Sequence, residues 1–147
     1  GTARANEAMD LTSKVSNVVT AIRFQEGQRV AAGQVLVELD AAQVRADLAA
    51  AEAALIESRA QAERSRALAA TAALSKAQVD QIEATLKANE ARVAAAKARL
   101  ADTVIRAPFT GRTGLRRVSL GSLVAPGTVI TTLDDTTTIK LDFAVPE

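Results

Sequence analysis

The sequence predicts an α+β chain in which a β-sandwich made of two halves is divided by an inserted antiparallel coiled-coil α-hairpin. Three observations predict it. A glycine-punctuated motif occurs twice, a long stretch of helical period separates the two copies, and that stretch is interrupted once, near residues 70–75.

Gly27–Asp40 aligns without gaps on Gly121–Asp134, with identities at Gly27/Gly121, Val30/Val124, Ala31/Ala125, Gly33/Gly127, Val35/Val129, Leu39/Leu133 and Asp40/Asp134. Self-similarity of this kind marks one supersecondary unit used twice. Each copy reads as strand, glycine turn, short strand, glycine turn, strand, with the alternating Val and Leu positions facing one side. Upstream, Val15, Val18, Val19, Ile22 and Phe24 lead into copy one, while Ile105, Phe109, Leu115 and Val118 lead into copy two. Two such halves packed face to face make a small sandwich, because neither half can bury its apolar face alone. The β-domain is accordingly expected over 1–40 plus 103–135.

Between the copies, over 41–102, the apolar period changes from two to helical. Val44, Leu48, Ala51, Leu55, Ser58, Ala62 and Ser65 recur at alternating spacings of four and three, and Val79, Ile82, Leu86, Asn89, Val93, Ala96 and Leu100 repeat the pattern. Each set is a heptad seam, and two seams joined by a short break make a hairpin. Asp40 with Gln43 and Ser75 with Gln78 have the spacing of N-cap boxes. A first helix of roughly 30 residues spans ~45 Å. Ser58, Ser65 and Asn89 make the seam less apolar than a stable isolated pair requires, so support from neighbouring hairpins is expected.

The stretch Thr138–Glu147 alternates, with Ile139, Leu141, Phe143 and Val145 on one side and no partner strand in view. It is expected to open a further β-domain over 136–147, and the chain is expected to be a piece of a longer protein. Its start carries no basic-then-apolar leader, and no apolar run approaches the ~20 residues of a membrane span.

Composition narrows the functional classes. With 18 basic and 17 acidic side chains the formal charge is +1, too weak a field to gather nucleic acid. Histidine, cysteine, tyrosine and tryptophan are absent, so the usual nucleophile–base pairs and metal clusters cannot be assembled. Glu52, Glu57, Glu63, Glu83 and Glu90 interleave with Arg and Lys as on an exposed helical face. No catalysis, cofactor or metal is expected, and Met9 is the sole methionine available as a soft ligand.

The half-motif, the helical hairpin and the re-entry stretch Arg106-Ala-Pro-Phe-Thr-Gly111 together resemble the periplasmic adaptor, or membrane fusion protein, family. The resemblance implies a split lipoyl/biotinyl-like sandwich, with 136–147 the first strand of a truncated β-barrel domain. It further implies an adaptor of a tripartite efflux pump in the periplasm, associated with the inner membrane in its full-length form. Partners would be an inner-membrane transporter of the RND or ABC class, a TolC-like outer-membrane channel, and other copies of itself in a hexameric tube. Arg64, Leu68 and Ser75 have the Arg-x3-Leu-x6-Ser spacing of adaptors that dock on such channels. Arg64 offers five donors, Leu68 an apolar contact, and Ser75 can meet the partner, cap the second helix, or do both. One departure is Asn17, where the family often has glycine; asparagine tolerates the left-handed region, so the turn is expected to survive.

Two other readings compete. A type I secretion adaptor would share the architecture, although such adaptors tend to have longer hairpins. A lipoyl or biotinyl carrier needs a lysine in a tight turn between the halves; about sixty residues of helix stand there instead, and Lys14, Lys76 and Lys140 read as solvated charges.

Overall fold

The computed structural model describes residues 2–5, 8–136 and 139–142. Before the hairpin lie β1 (Thr2–Ala5), β2 (Ala8–Thr12), β3 (Asn17–Ile22), β4 (Arg29–Val30) and β5 (Val35–Leu39). Helices α1 (Ala42–Ala70) and α2 (Lys76–Ala101) follow. The chain then adds β6 (Val104–Arg106), β7 (Gly111–Thr113), β8 (Leu123–Val124), β9 (Val129–Asp135) and β10 (Ile139–Asp142). Two compact units result, Gly1–Asp40 with Asp102–Glu147, and Ala41–Ala101.

The β-unit holds two four-stranded sheets, ordered β2-β9-β7-β4 and β6-β5-β3-β8. Exchanging the two sequence copies turns one order into the other, so the sheets are related by a pseudo-two-fold. The halves do not pack face to face as separate layers, which corrects the expectation from the repeat: each sheet takes two strands from each copy. Hydrogen bonding explains why. Gly27 N–H donates to Thr113 O at 3.1 Å and Thr113 N–H to Gln28 O at 3.0 Å; the mates, Gly121 N–H to Val19 O and Val19 N–H to Ser122 O, are both 2.9 Å. Gly33 with Ala107 and Gly127 with Ser13 repeat the exchange at the second turn. Each inner strand therefore has one neighbour from its own copy and one from the other, so neither copy's backbone is satisfied alone.

The turns are built alike. Gly27 and Gly121 take φ of 73° and 82°, a region that costs glycine little. At the last turn position Gln28 bonds back to the Gln25 N–H at 2.8 Å, and Ser122 to the Ser119 N–H at 3.1 Å. Gln34 and Thr128 do the same for Ala31 and Ala125.

Mated positions fill the core. Leu36 and Ile130, Val30 and Val124, Leu39 and Leu133, and Leu11 and Ile105 are all buried, with Val19, Phe24 and Val118 among them. The simple alternation predicted for β5 fails at its centre, where Leu36 and Val37 are both fully buried. A register shift against β6 between Val35 and Val37 re-aims the strand. Val18 and Leu115, among the apolar residues that lead into the two copies, are exposed.

Asn17 does not use left-handed backbone, since Ala72 is the only non-glycine residue with positive φ among the described residues. Its carboxamide instead donates to Asp40 O at 2.8 Å and accepts from the Val18 N–H at 2.8 Å. At the mated position, β7 approaches β9 so closely that a Cβ on Gly111 would overlap the Asp134 carbonyl. Glycine serves close approach there, and in copy one the asparagine carboxamide bonds the mated carbonyl of Asp40.

Strand β10 is not without a partner, contrary to expectation. It pairs antiparallel with β1, Thr2 opposite Asp142 and Ala5 opposite Ile139. β1 is four residues long and has alanine as its only apolar residue type, so its sequence gives little strand signal. Phe143 and Val145 lie outside the described residues.

In the hairpin unit every predicted seam position is buried or half-buried. Leu55, Leu86 and Val93 supply its apolar centre, and Ala62 lets the helices approach. Asn89 donates to Ser58 Oγ across the seam, while its Oδ1 accepts from Arg92 at 3.1 Å. The predicted cap at Asp40 is displaced by one residue: Ala41 is the N-cap of α1, with no side-chain capping bond, and Gln43 donates to Asp47 at 3.0 Å instead.

The close approach at Gly111 is testable. Gly111→Ala is expected to destabilise the protein by about 3 kcal/mol through overlap with Asp134, and Asn17→Ala by only about 1 kcal/mol through the loss of two solvent-exposed hydrogen bonds. Urea unfolding of both variants checks the ranking; equal losses would contradict it.

Candidate functional site

The candidate site is the bend of the hairpin, and backbone chemistry shapes it. Helix α1 ends in a Schellman arrangement around Thr71: Ala73 N–H donates to Leu68 O at 3.0 Å and Ala72 N–H to Ala69 O at 3.0 Å. The Thr71 hydroxyl adds a third bond to Leu68 O at 2.9 Å. Ala72 occupies the left-handed position with φ of 59°, where glycine is usual. Helix α2 restarts with the predicted capping box, Gln78 N–H to Ser75 Oγ at 3.2 Å and Ser75 N–H to Gln78 Oε1 at 2.9 Å.

Around this bend the three predicted residues are all exposed. Arg64 lies two turns before the end of α1 and has no hydrogen-bond or ion-pair partner among the described residues. Leu68, one turn further on, is 47% exposed and so does not belong to the seam. Residues four apart share a helix face, so guanidinium and isobutyl group lie side by side. Ser75 belongs to the other helix, and its oxygen is the cap acceptor, which leaves the hydroxyl proton to donate. The capping role, one of the alternatives open in the sequence, is therefore real.

The spacing did not reveal Arg66. Its Nε donates to Glu83 Oε1 at 2.9 Å and its Nη2 to Oε2 at 3.1 Å, a bidentate pair joining α1 to α2 just below the bend. The available signal was opposite charge on one flank of the two seams, legible only once their antiparallel register is known. Lower on that flank Glu52, Arg59, Glu90 and Lys97 line a groove around the exposed Ile56. Among the described residues no helix is long and apolar enough to cross a membrane.

Residues 7–134 match the family model described as RND MFP, barrel-sandwich hybrid domain. The chain belongs to the RND membrane fusion proteins. Among relatives of this family, multidrug resistance protein MdtA of Pectobacterium atrosepticum is 34% identical over 163 residues, covering 100% of this chain and 40% of that protein. The chain thus spans well under half the length of the curated relatives it matches. A solved MacA-MexA chimera containing the Pseudomonas aeruginosa MexA α-hairpin domain superposes with a TM-score of 0.86 at 30% identity, over 90% of this chain and 49% of that one. MacA from Actinobacillus actinomycetemcomitans, with a TM-score of 0.78 at 23% identity over 95% of this chain and 52% of that one, shows the same fold. Membership accounts for the split sandwich and its inserted hairpin.

The left-handed Ala72 makes the bend's geometry testable. Ala72→Gly is expected to stabilise the hairpin by about 1 kcal/mol, because glycine removes the Cβ clash of that region. Thermal melting followed by far-UV circular dichroism checks this; a lower melting temperature would show that the bend is not left-handed.

Proposed function

We propose that this chain is the hairpin-bearing part of a periplasmic adaptor in a tripartite efflux pump. In this reading the full-length protein is associated with the inner membrane. It joins a transporter of the RND or ABC class to a TolC-like outer-membrane channel, and copies of it assemble into a hexameric tube. The hairpin tip is the contact with the channel. One observation carries the reading: Arg64 and Leu68 stand exposed and adjacent beside the bend, the Arg64 guanidinium without a hydrogen-bond or ion-pair partner among the described residues, with the Ser75 hydroxyl across the bend.

Each group has a distinct part. The Arg64 guanidinium offers planar, forked donors to carbonyls or carboxylates at the channel's end. Leu68 contributes apolar area next to that charge, and an arginine with an apolar neighbour is the kind of anchor that dominates interface energetics. Ser75 donates one hydrogen bond while its oxygen keeps α2 capped. The adaptor performs no chemistry in this reading: it conducts substrate and couples the conformations of the proteins at its two ends. Membership of the RND membrane fusion proteins supports the efflux setting.

Charge reversal at the tip tests the assignment. Arg64→Asp in the full-length protein, co-expressed with its transporter and a TolC-like channel, is expected to lower co-purification of the channel on the order of tenfold or more. Drug resistance should fall with it. Wild-type co-purification and resistance would refute the tip contact.

A further inference from the structure

We propose that the Arg66–Glu83 ion pair is the positioning device of the tip, fixing the rotation of α1 about its own axis so that Arg64 and Leu68 face the partner. The inference rests on the reading of the tip as a docking site and assigns two residues that the Arg-x3-Leu-x6-Ser pattern does not contain.

Three observations lead to it. First, the seam of α1 near the bend is poor in shape. Its positions there are Ala62, Ser65 and Ala69, and Ser65 is 2% exposed with a hydroxyl that has no hydrogen-bond partner. Small side chains slide past one another where interlocking leucines would not, so packing at this height leaves the azimuth of α1 weakly determined. The large apolar residues near this height, Ile82 and Leu86, both come from α2, and on the α1 side of the seam the nearest one is Leu55, further from the bend.

Second, the pair has the geometry to supply what packing lacks. Both bonds, 2.9 and 3.1 Å, run from one guanidinium edge to both oxygens of one carboxylate. A bidentate fork restricts direction as well as distance. The side chains are 59% and 30% exposed, and exposed ion pairs contribute little to stability. Orientation is then the property that the pair supplies.

Third, Arg66 sits between the two docking residues in sequence and opposite them in space. At 3.6 residues per turn, Arg64 and Leu68 lie about 40° apart on the helix, whereas Arg66 lies about 160° from either. Tethering Arg66 to the flank of α2 turns Arg64 and Leu68 to the other flank. Glu52, Arg59, Glu90 and Lys97 occupy the same flank as Arg66, and no ion pair joins them among the described residues. The closed rung is the one nearest the bend.

The experiment uses the full-length protein co-expressed with its transporter and a TolC-like channel. Glu83→Gln keeps the side-chain volume and removes the charge. Channel co-purification should fall about three- to tenfold, with the melting temperature within about 2 °C of wild type. The exchange Arg66→Glu with Glu83→Arg should recover most of the lost binding. If Glu83→Gln binds the channel as wild type while Arg64→Asp does not, the positioning role is overturned and the tip reading stands. If neither variant changes binding, the tip reading itself has failed. A Glu83→Gln protein that loses binding and melting temperature together, unrescued by the exchange, assigns the pair to stability and also overturns the proposal.

Discussion

The reciprocal backbone pairing between the two copies of the glycine motif is the constraint on which the β-unit depends. Gly27, Gly33, Gly121 and Gly127 each donate an N–H to the opposite copy, and Val19, Ser13, Thr113 and Ala107 each return one. A single copy would leave those groups unpaired beside an open apolar face, and buried polar groups without partners are costly. The two halves must therefore meet. The chain between them is free to grow into a hairpin, because the sandwich closes through the ends of β5 and β6 and makes no demand on what connects them. Core and surface follow different rules under this pseudo-symmetry. Inside, mates are alike, as with Leu36 and Ile130 or Val30 and Val124. Outside, Glu26, Arg29 and Arg112 mate with the exposed Leu120, Leu123 and Val18, so burial constrains the pair where solvent does not.

Polar layers govern the hairpin as much as apolar ones. Asn89 bonds Ser58 and Arg92 on the seam, which favours the register in which these groups meet. Toward the bend the α1 side of the seam thins to alanine and an unbonded Ser65, and specification passes from packing to the Arg66–Glu83 fork and the caps. The bend itself carries local strain at Ala72, held by the Schellman bonds to Leu68 and Ala69. The exposed residues Arg64, Leu68 and Ser75 thus sit on a short scaffold defined at both helix ends by backbone hydrogen bonds, the arrangement expected of a surface that must present side chains in a constant pattern.

The sequence by itself determined the split repeat, the seams, the capping box at Ser75 and the place of the bend. Each of these rests on a local period or a fixed spacing that survives without knowledge of distant partners. Arg64 falls well off the heptad seam by the same arithmetic, whereas Leu68 stands beside the seam position Ala69, and only the structure decides between packing and exposure, leaving it 47% exposed. Only the tertiary structure decided the rest. The interleaving of the copies across two sheets, the pairing of β1 with β10, the burial of both Leu36 and Val37, and the use of Gly111 for close approach all depend on which strand lies beside which. The cap at Ala41 rather than Asp40, and the bond of Asn17 to Asp40, turn on the geometry of the chain leaving β5. The Arg66–Glu83 pair needs two helices in one antiparallel register before its charges meet. Strand and side-chain partners distant in sequence leave no periodic trace in either segment alone, and that is the physical boundary between what could be read and what had to be seen.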